Sequence, residues 1–380
     1  MTTTTWVEVD LSAIRFNAQA IKTYAQSSSL IAVIKADAYG HGVIPVAEAL
    51  EEEAAMYAVA TVAEAVELRT AGNGKPILVL FNALAAHAEP IIDYRLTPSV
   101  CEPTLCKALS HAAQTKGTSI KVHLDVDTGM NRGGIWHTEA VDFLRWLTEL
   151  EGIKVEGIFT HFATADEVDK SHVRLQLKRF ESVLSMLSEL NLHPPIVHAA
   201  NSAAALTLPQ AHFDAVRVGL SLYGVYPSPE VKRLSTVSLR PALSWKARVI
   251  CLRRSMQGEG ISYGRTHIVD DAIWLATLPV GYADGYSRKL SNRGEALIGG
   301  ERCQQVGAVC MDGTVFRIPS PKGEQADLPL RIGDEAVLIG QQGDLDIHVD
   351  QVAEKAGTIS YEILTGIGKR AARIYVNQDS

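Results

Sequence analysis

The chain has 380 residues, long for one domain and short for three, and 47% of them are hydrophobic, enough to bury roughly three quarters of the unfolded surface. A formal net charge of −7, without clustered Lys and Arg, argues against a nucleic-acid or anionic-membrane surface and favours small-molecule work. Five scattered cysteines without CxxC spacing fit reduced thiols rather than a disulfide framework, and no metal site is expected.

The opening Met1-Thr-Thr-Thr-Thr-Trp6 has no basic segment followed by an apolar stretch, and no later apolar run approaches ~18 residues. A cytoplasmic protein with no membrane span is expected. Trp6–Val9 reads as a candidate extra strand of a later sheet. Leu30–Ile34, five aliphatic residues, predicts a strand buried on both faces that ends at Lys35 and enters the polar, glycine-rich turn Ala36-Asp-Ala-Tyr39-Gly-His-Gly42. An amine at the rim of a core loses hydration, which lowers its pKa and suits it to Schiff-base chemistry. The alternative is a lysine that merely snorkels from a strand end.

Further strands are predicted at Met56–Ala60, Ile77–Leu80, Leu96–Val100, Ile120–Val126, Val155–Phe159, Ile196–Ala199 and Ala215–Val218. Helical periodicity intervenes, as over Thr61–Arg69 and Asp169–Leu190. Eight βα units predict a closed (β/α)8 barrel of the TIM type. An open doubly wound sheet is the competing arrangement, but no GxGxxG follows the first strand.

After Tyr223-Gly-Val-Tyr-Pro-Ser-Pro229 helical periodicity fades. Short runs at Leu243–Leu252, Ile273–Leu278, Ala296–Ile298, Gln305–Val309 and Ala336–Leu338, separated by glycine-rich turns, predict a mostly-β second domain. The expected organisation is a barrel over 10–235 and a C-terminal β domain over 236–380, with residues 1–9 as a candidate added strand.

Active sites of such barrels lie at the carboxyl ends of the strands. Lys35, Asp125, Asp127, Thr128, Arg132, His161, Asn201, Ser202, Arg217 and Gly219 all follow or close predicted strands, so one rim collects them. Singly, Arg132 with Asp127 reads equally as a surface ion pair, His161 as a satisfied core histidine and Ser202 as a helix N-cap. Together, a lysine opposite a candidate phosphate cradle at Ser202 and Gly219 implies pyridoxal phosphate.

Ten runs carry a resemblance across the whole chain. They are Ala32-Val-Ile-Lys-Ala-Asp-Ala-Tyr-Gly-His-Gly42, Asp127-Thr-Gly-Met-Asn-Arg132, Thr160-His-Phe-Ala-Thr-Ala-Asp166, His198-Ala-Ala-Asn-Ser202, Val216-Arg-Val-Gly-Leu220, Leu222-Tyr-Gly224, Ser262-Tyr-Gly264, Gly281-Tyr-Ala-Asp-Gly285, Cys310-Met-Asp312 and Ile359-Ser-Tyr-Glu362. In order and spacing they resemble the alanine racemase family.

The resemblance implies that Lys35 carries pyridoxal 5′-phosphate, that Tyr39, Ser202, Gly219, Leu220 and Tyr361 hold its phosphate, and that Arg217 faces the pyridine nitrogen with His161 in support. Arginine only donates, so the ring is kept from taking a proton and becomes a weaker electron sink, which favours racemisation over transamination. The resemblance also assigns two bases, Lys35 on one face of the substrate and Tyr263 of a partner subunit on the other, in a homodimer with shared active sites. A phenol accepts a proton near neutrality only beside cations, for which Arg132 and His161 are candidates. Arg132 and the amide of Met311 would bind the amino-acid carboxylate, Tyr282 and Tyr361 would narrow the entrance, and Asp312 would support the site.

The chain departs from the family at two positions. Asp125 stands where many members carry a carboxylated lysine, so its carboxylate is expected to orient Arg132, either by a shift of Arg132 toward the shorter side chain or through a bridging water. Ala308 replaces an entrance arginine, which bears on selectivity. The expected activity is interconversion of L- and D-alanine, supplying D-alanine for peptidoglycan. Serine or a broader range of amino acids is the main alternative. A barrel-type amino-acid decarboxylase, expected to place an acid where Arg217 stands, and a non-catalytic pyridoxal-phosphate carrier are less favoured.

Overall fold

The computed structural model describes residues 3–319 and 330–377. Two compact units emerge from the contacts: 13–38 together with 43–240, and the N-terminal segment to Ser12 together with 39–42 and the chain from Pro241 onward.

The first unit is a closed parallel barrel of eight strands: Ser29–Val33, Met56–Val59, Ile77–Val79, Thr97–Val100, Ile120–Asp127, Ile153–Phe159, Ile196–His198 and Ala215–Val218. The first pairs with the eighth through Arg217↔Ile31, and the fourth closes on the fifth through Ser99↔His123. Most of these strands are rich in apolar residues because both faces are covered, and Leu30, Ile31, Leu78, Val122, Leu124 and Ile158 are buried, while Ile153–Phe159 also carries Lys154 and Glu156. Each such side chain contributes about 1.5–3 kcal/mol. The helix Val62–Thr70 begins at a capping box in which Thr61 and Glu64 bond reciprocally, and the long helix Ser171–Glu189 follows Asp169, whose carboxylate accepts from the Ser171 amide at 2.8 Å.

The second unit is built on a large sheet in which Thr5–Asp10 runs antiparallel to Leu243–Arg248 and parallel to Ala372–Val376. The single run expected over Leu243–Leu252 breaks into Leu243–Arg248 and Cys251–Ser255, because the chain changes neighbours at Val249 and Ile250, whose amides bond Asp334 and Thr277. The expected Gln305–Val309 strand is displaced to Glu301–Gln305. Gly307, at φ +80°, turns the chain away, and a Cβ there would fall 2.7 Å from the Ile261 carbonyl. Two helices, Val349–Ala356 and Ser360–Gly366, complete this unit.

Candidate active site

The segment after the first barrel strand is the most unusual backbone in the molecule. Ala36, Asp37, Ala38, Tyr39 and Gly40 all have positive φ, between +52° and +81°, and form a left-handed helical turn beginning at Lys35. Residues with a Cβ resist this conformation by about 1–2 kcal/mol each, so the turn must be held from outside. Glu64 does so: one carboxylate oxygen accepts the Ala36 amide at 2.7 Å while the other accepts the amides of Ala60 and Thr61. Asp37 accepts the Val43 amide at 2.7 Å. In the second unit Gly40 packs so that a Cβ would lie 2.4 Å from the Leu364 carbonyl, and its own carbonyl accepts from Arg373. The sequence suggests a turn here but not its hand, since only one of the five residues is glycine.

Lys35 is half-buried, with Nζ 5.7 Å from the centre of the Phe81 ring. Burial and the positive charges of Arg132 and Arg217 lower its pKa, against an opposing pull from Glu64.

Arg217, 3% exposed, is the centre of the rim. Its Nη2 donates to the carbonyls of Thr160 at 2.7 Å and Ala199 at 3.2 Å and to His161 Nδ1 at 3.2 Å. Its Nη1 donates to His198 Nδ1 at 2.8 Å and the His198 carbonyl at 3.1 Å. Burial brings its pKa down to about 10, with Asp125 opposing, so the guanidinium stays charged at neutral pH. Nε–H has no acceptor among the described residues.

Because arginine can only donate, both histidines facing it must offer an unprotonated Nδ1. His198 then donates from Nε2 to His123 Nδ1, at 2.8 Å. His123 in turn directs Nε2–H toward the Glu156 carboxylate, 3.7 Å away and thus an electrostatic contact rather than a hydrogen bond. Glu156, ion-paired with Lys121, is held at about 2, chiefly by His123. The line Arg217, His198, His123, Glu156 is built in: the strand pairing shifts register at Val122/His123, and Gly157 leaves room for a ring that a Cβ would meet at 2.6 Å. Burial, reinforced by Arg217, holds His161 and His198 well below the usual histidine range. His161 is therefore neutral and is removed from the cations expected to activate a phenol. Sequence reasoning missed His198, His123 and Glu156, although a histidine inside an otherwise apolar strand was a visible signal.

The loop carrying Arg132 is organised by Asp127. Its carboxylate accepts the amides of Gly129 at 2.8 Å, Met130 at 2.9 Å and Asn131 at 2.9 Å, which displaces the surface ion-pair reading. Asp125 and Arg132 make no direct pair, so the route in which Arg132 shifts onto the shorter carboxylate is not taken. Among the described residues no ion pair or hydrogen bond joins them, and the Arg132 guanidinium lies 5.1 Å from the centre of the Phe81 ring. Burial pushes the Asp125 carboxyl up to about 7, with Arg217 opposing.

A stability prediction follows from that shift. A carboxyl whose folded pKa exceeds its unfolded value binds the extra proton in the folded state, so stability falls as pH rises from about 4 to about 7 and stays reduced above. Asp125→Asn should therefore stabilise the cofactor-free protein at pH 8 by on the order of 3 kcal/mol, and the gain should vanish near pH 4. Denaturant titration at the two pH values checks this. Equal stabilities at pH 8 would show that the carboxylate is better solvated than its burial suggests.

Asn201, not Ser202, caps the short helix Ser202–Thr207 through the Ala204 amide. The buried Ser202 hydroxyl accepts the amides of Gly219 at 3.0 Å and Ser221 at 3.4 Å, with Leu220 buried beside them.

In the second unit, Tyr39 and Tyr361 have ring centres 6.0 Å apart, and burial raises the Tyr39 pKa. Tyr263 is 76% exposed on a short turn. Met311 and Tyr282 are exposed on adjacent loops joined by bonds from the Tyr282 and Ala283 amides to the Cys310 and Met311 carbonyls. Arg370 bridges the buried Asp284 and the exposed Asp312. Ala308 is buried, its carbonyl accepting from Ser262 Oγ, so an arginine there would have to displace packed neighbours. Among the described residues no group of three metal-ligating side chains occurs, and no helix is long and apolar enough to cross a membrane.

Comparison with known proteins agrees with this arrangement. Residues 9–227 match the family profile for the alanine racemase N-terminal domain and residues 242–375 that for the C-terminal domain. The chain is 45% identical over 372 residues to an alanine racemase of Symbiobacterium thermophilum, covering 98% of this chain and 97% of that one. It is 43% identical to an alanine racemase of Halothermothrix orenii, over 100% and 98% of the two chains. A crystal structure of alanine racemase from Streptomyces lavendulae superposes with a TM-score of 0.93 at 36% identity, covering 99% and 98%. One from Bacillus anthracis with bound L-Ala-P gives 0.91 at 38%, covering 99% and 96%. A histidine racemase from Leuconostoc mesenteroides shares the fold at 28% identity, with a TM-score of 0.88 over 99% and 98%. The protein is an amino-acid racemase, and the chain belongs to the alanine racemase family.

Proposed function

We propose that this enzyme interconverts L- and D-alanine with pyridoxal 5′-phosphate bound on the barrel rim. The observation that carries the reading is Arg217: a buried guanidinium, fixed by carbonyls and two neutral histidines, whose remaining Nε–H is free to meet an acceptor nitrogen. The residues fit the group. Lys35 offers an amine of lowered pKa, and the Ser202 hydroxyl with the Gly219 and Leu220 backbone suits the phosphate, with Tyr39 and Tyr361 as further contacts.

When bound, the cofactor supplies the electron withdrawal that acidifies the Cα–H of the amino acid. Lys35 Nζ takes or returns a proton on one face of Cα, and Tyr263 Oη of the partner subunit does so on the other. Arg132 and the Met311 amide hold the substrate carboxylate, so that Cα stays between the two carriers. Tyr282 narrows the entrance, and Asp312, through Arg370, steadies the loop bearing Met311. Arg217 would donate to the pyridine nitrogen of the bound cofactor, with His161 steadying Arg217. A shared-site homodimer in the cytoplasm would supply D-alanine for peptidoglycan.

The test is direct. Purified protein should develop visible absorbance on adding the cofactor, sediment as a dimer, and convert either alanine enantiomer to the racemate on chiral chromatography. Serine should turn over with lower kcat/KM. Absence of cofactor binding, or faster turnover of serine, would overturn the assignment.

A further inference from the structure

The resting place of Arg132 points to a residue that neither the motifs nor the proposed mechanism uses. Phe81 follows the third barrel strand, its amide bonded to the Ala60 carbonyl at 3.3 Å, and its side chain remains 43% exposed at the rim. What sets this exposed ring apart is the charge beside it. Both nearby cations lie over it: Lys35 Nζ at 5.7 Å and Arg132 Cζ at 5.1 Å from its centre. Arg132 makes no hydrogen bond or ion pair among the described residues, and Asp125, the carboxylate expected to orient it, is not joined to it.

We propose that Phe81 is the positioning residue for Arg132, its ring face holding the guanidinium where the amino-acid carboxylate binds. The proposal rests on Arg132 being the carboxylate ligand. Chemistry supports a ring in this role. A guanidinium resting on an aromatic face keeps all five N–H donors free, whereas a bidentate carboxylate partner would take two of them. The ring also lies beside both the amine of Lys35 and the guanidinium, so it bounds the space between the reacting group and the carboxylate anchor.

Losing a partly exposed cation–π contact should weaken carboxylate binding about three- to tenfold. Phe81→Leu keeps an apolar side chain and removes the ring; Phe81→Tyr keeps the ring. In Phe81→Leu, KM for both alanine enantiomers should rise by that factor with kcat within about twofold. The Kd of propionate, a carboxylate without an amine, should rise in parallel when read from the absorbance of the holoenzyme. Phe81→Tyr should restore both values. In an Arg132→Lys background, which loses the planar guanidinium, Phe81→Leu should add little, since the two changes act on one contact.

Equal losses in the Leu and Tyr variants, or full additivity with Arg132→Lys, would overturn the role of Phe81. An unchanged propionate Kd in Arg132→Lys would instead remove Arg132 as carboxylate ligand, a failure of the underlying reading. Asp125→Asn serves as the comparison. If it raises the propionate Kd as much as Phe81→Leu does, the carboxylate and not the ring positions Arg132.

Discussion

Lys35→Ala is expected to abolish racemisation in both directions and to leave no covalently bound cofactor. Removal of one proton carrier alone costs roughly 100- to 10,000-fold, and here the same side chain is also the attachment point. Neither arginine beside it replaces the amine. The cations that lower the Lys35 pKa are Arg132 and Arg217, and arginine does not give up its proton in a protein. The loss is not expected to reflect unfolding. A lysine whose folded pKa lies below its unfolded value destabilises the fold at every pH below that unfolded value, because the unfolded chain binds the proton more tightly. The cofactor-free Lys35→Ala protein should thus be at least as stable as wild type near neutrality. Borohydride reduction of the wild-type holoenzyme, followed by peptide mass analysis, should place the cofactor on Lys35. A modified peptide from any other lysine, or two-way activity in Lys35→Ala, would overturn the assignment.

The barrel strands were legible because most of them are apolar runs covered on both faces by the fold, and the rim residues followed from where those runs end. Pairings were less legible. Asp125 and Arg132 stand close in sequence and of opposite charge, yet burial keeps the Asp125 carboxyl high and the guanidinium settles on Phe81, a residue that in sequence resembles any strand-end aromatic. The left-handed turn at 36–40 was hidden for a related reason: local propensity opposes it, and the bonds from Glu64 that hold it come from another βα unit. The neutral state of His161 likewise depends on Arg217, far along the chain. Registers set by distant partners, as at Val122/His123, leave no local trace in composition.

Arg217 shows what the geometry adds to a motif. A charge reversal such as Arg217→Glu would turn a carboxylate toward the carbonyls of Thr160, His198 and Ala199 and would force both facing histidines to exchange tautomers. A buried carboxylate without a cationic partner, facing carbonyl oxygens, would be strongly destabilising. Chemistry at the ring nitrogen is therefore better probed with Arg217→Gln, whose amide can still donate to a carbonyl.

Tyr263→Phe should leave an enzyme that handles one enantiomer at Cα and not the other. The phenol is carried on a short turn at Tyr263–Arg265, preceded by Ser262 at φ +60° and anchored where Ser262 Oγ donates to the Ala308 carbonyl at 2.7 Å. Rigid support beneath a 76% exposed side chain is what a group needs if it acts outside its own subunit. With the hydroxyl removed, Lys35 still serves its face, which the family resemblance implies is that of D-alanine, so D-alanine should exchange its Cα hydrogen in deuterated water while L-alanine does not. Equal residual exchange from both enantiomers would refute the two-carrier arrangement. Subunit mixing separates that question from the question of sharing. If each site joins Lys35 of one subunit to Tyr263 of the partner subunit, a hybrid of Lys35→Ala and Tyr263→Phe subunits has one doubly defective site and one intact site. Two inactive parents, unfolded and refolded together, should then recover up to about a quarter of wild-type activity, since half the dimers are hybrids and half their sites are intact. If Lys35 and Tyr263 of the same subunit met instead, every site would carry one defect and mixing would recover nothing.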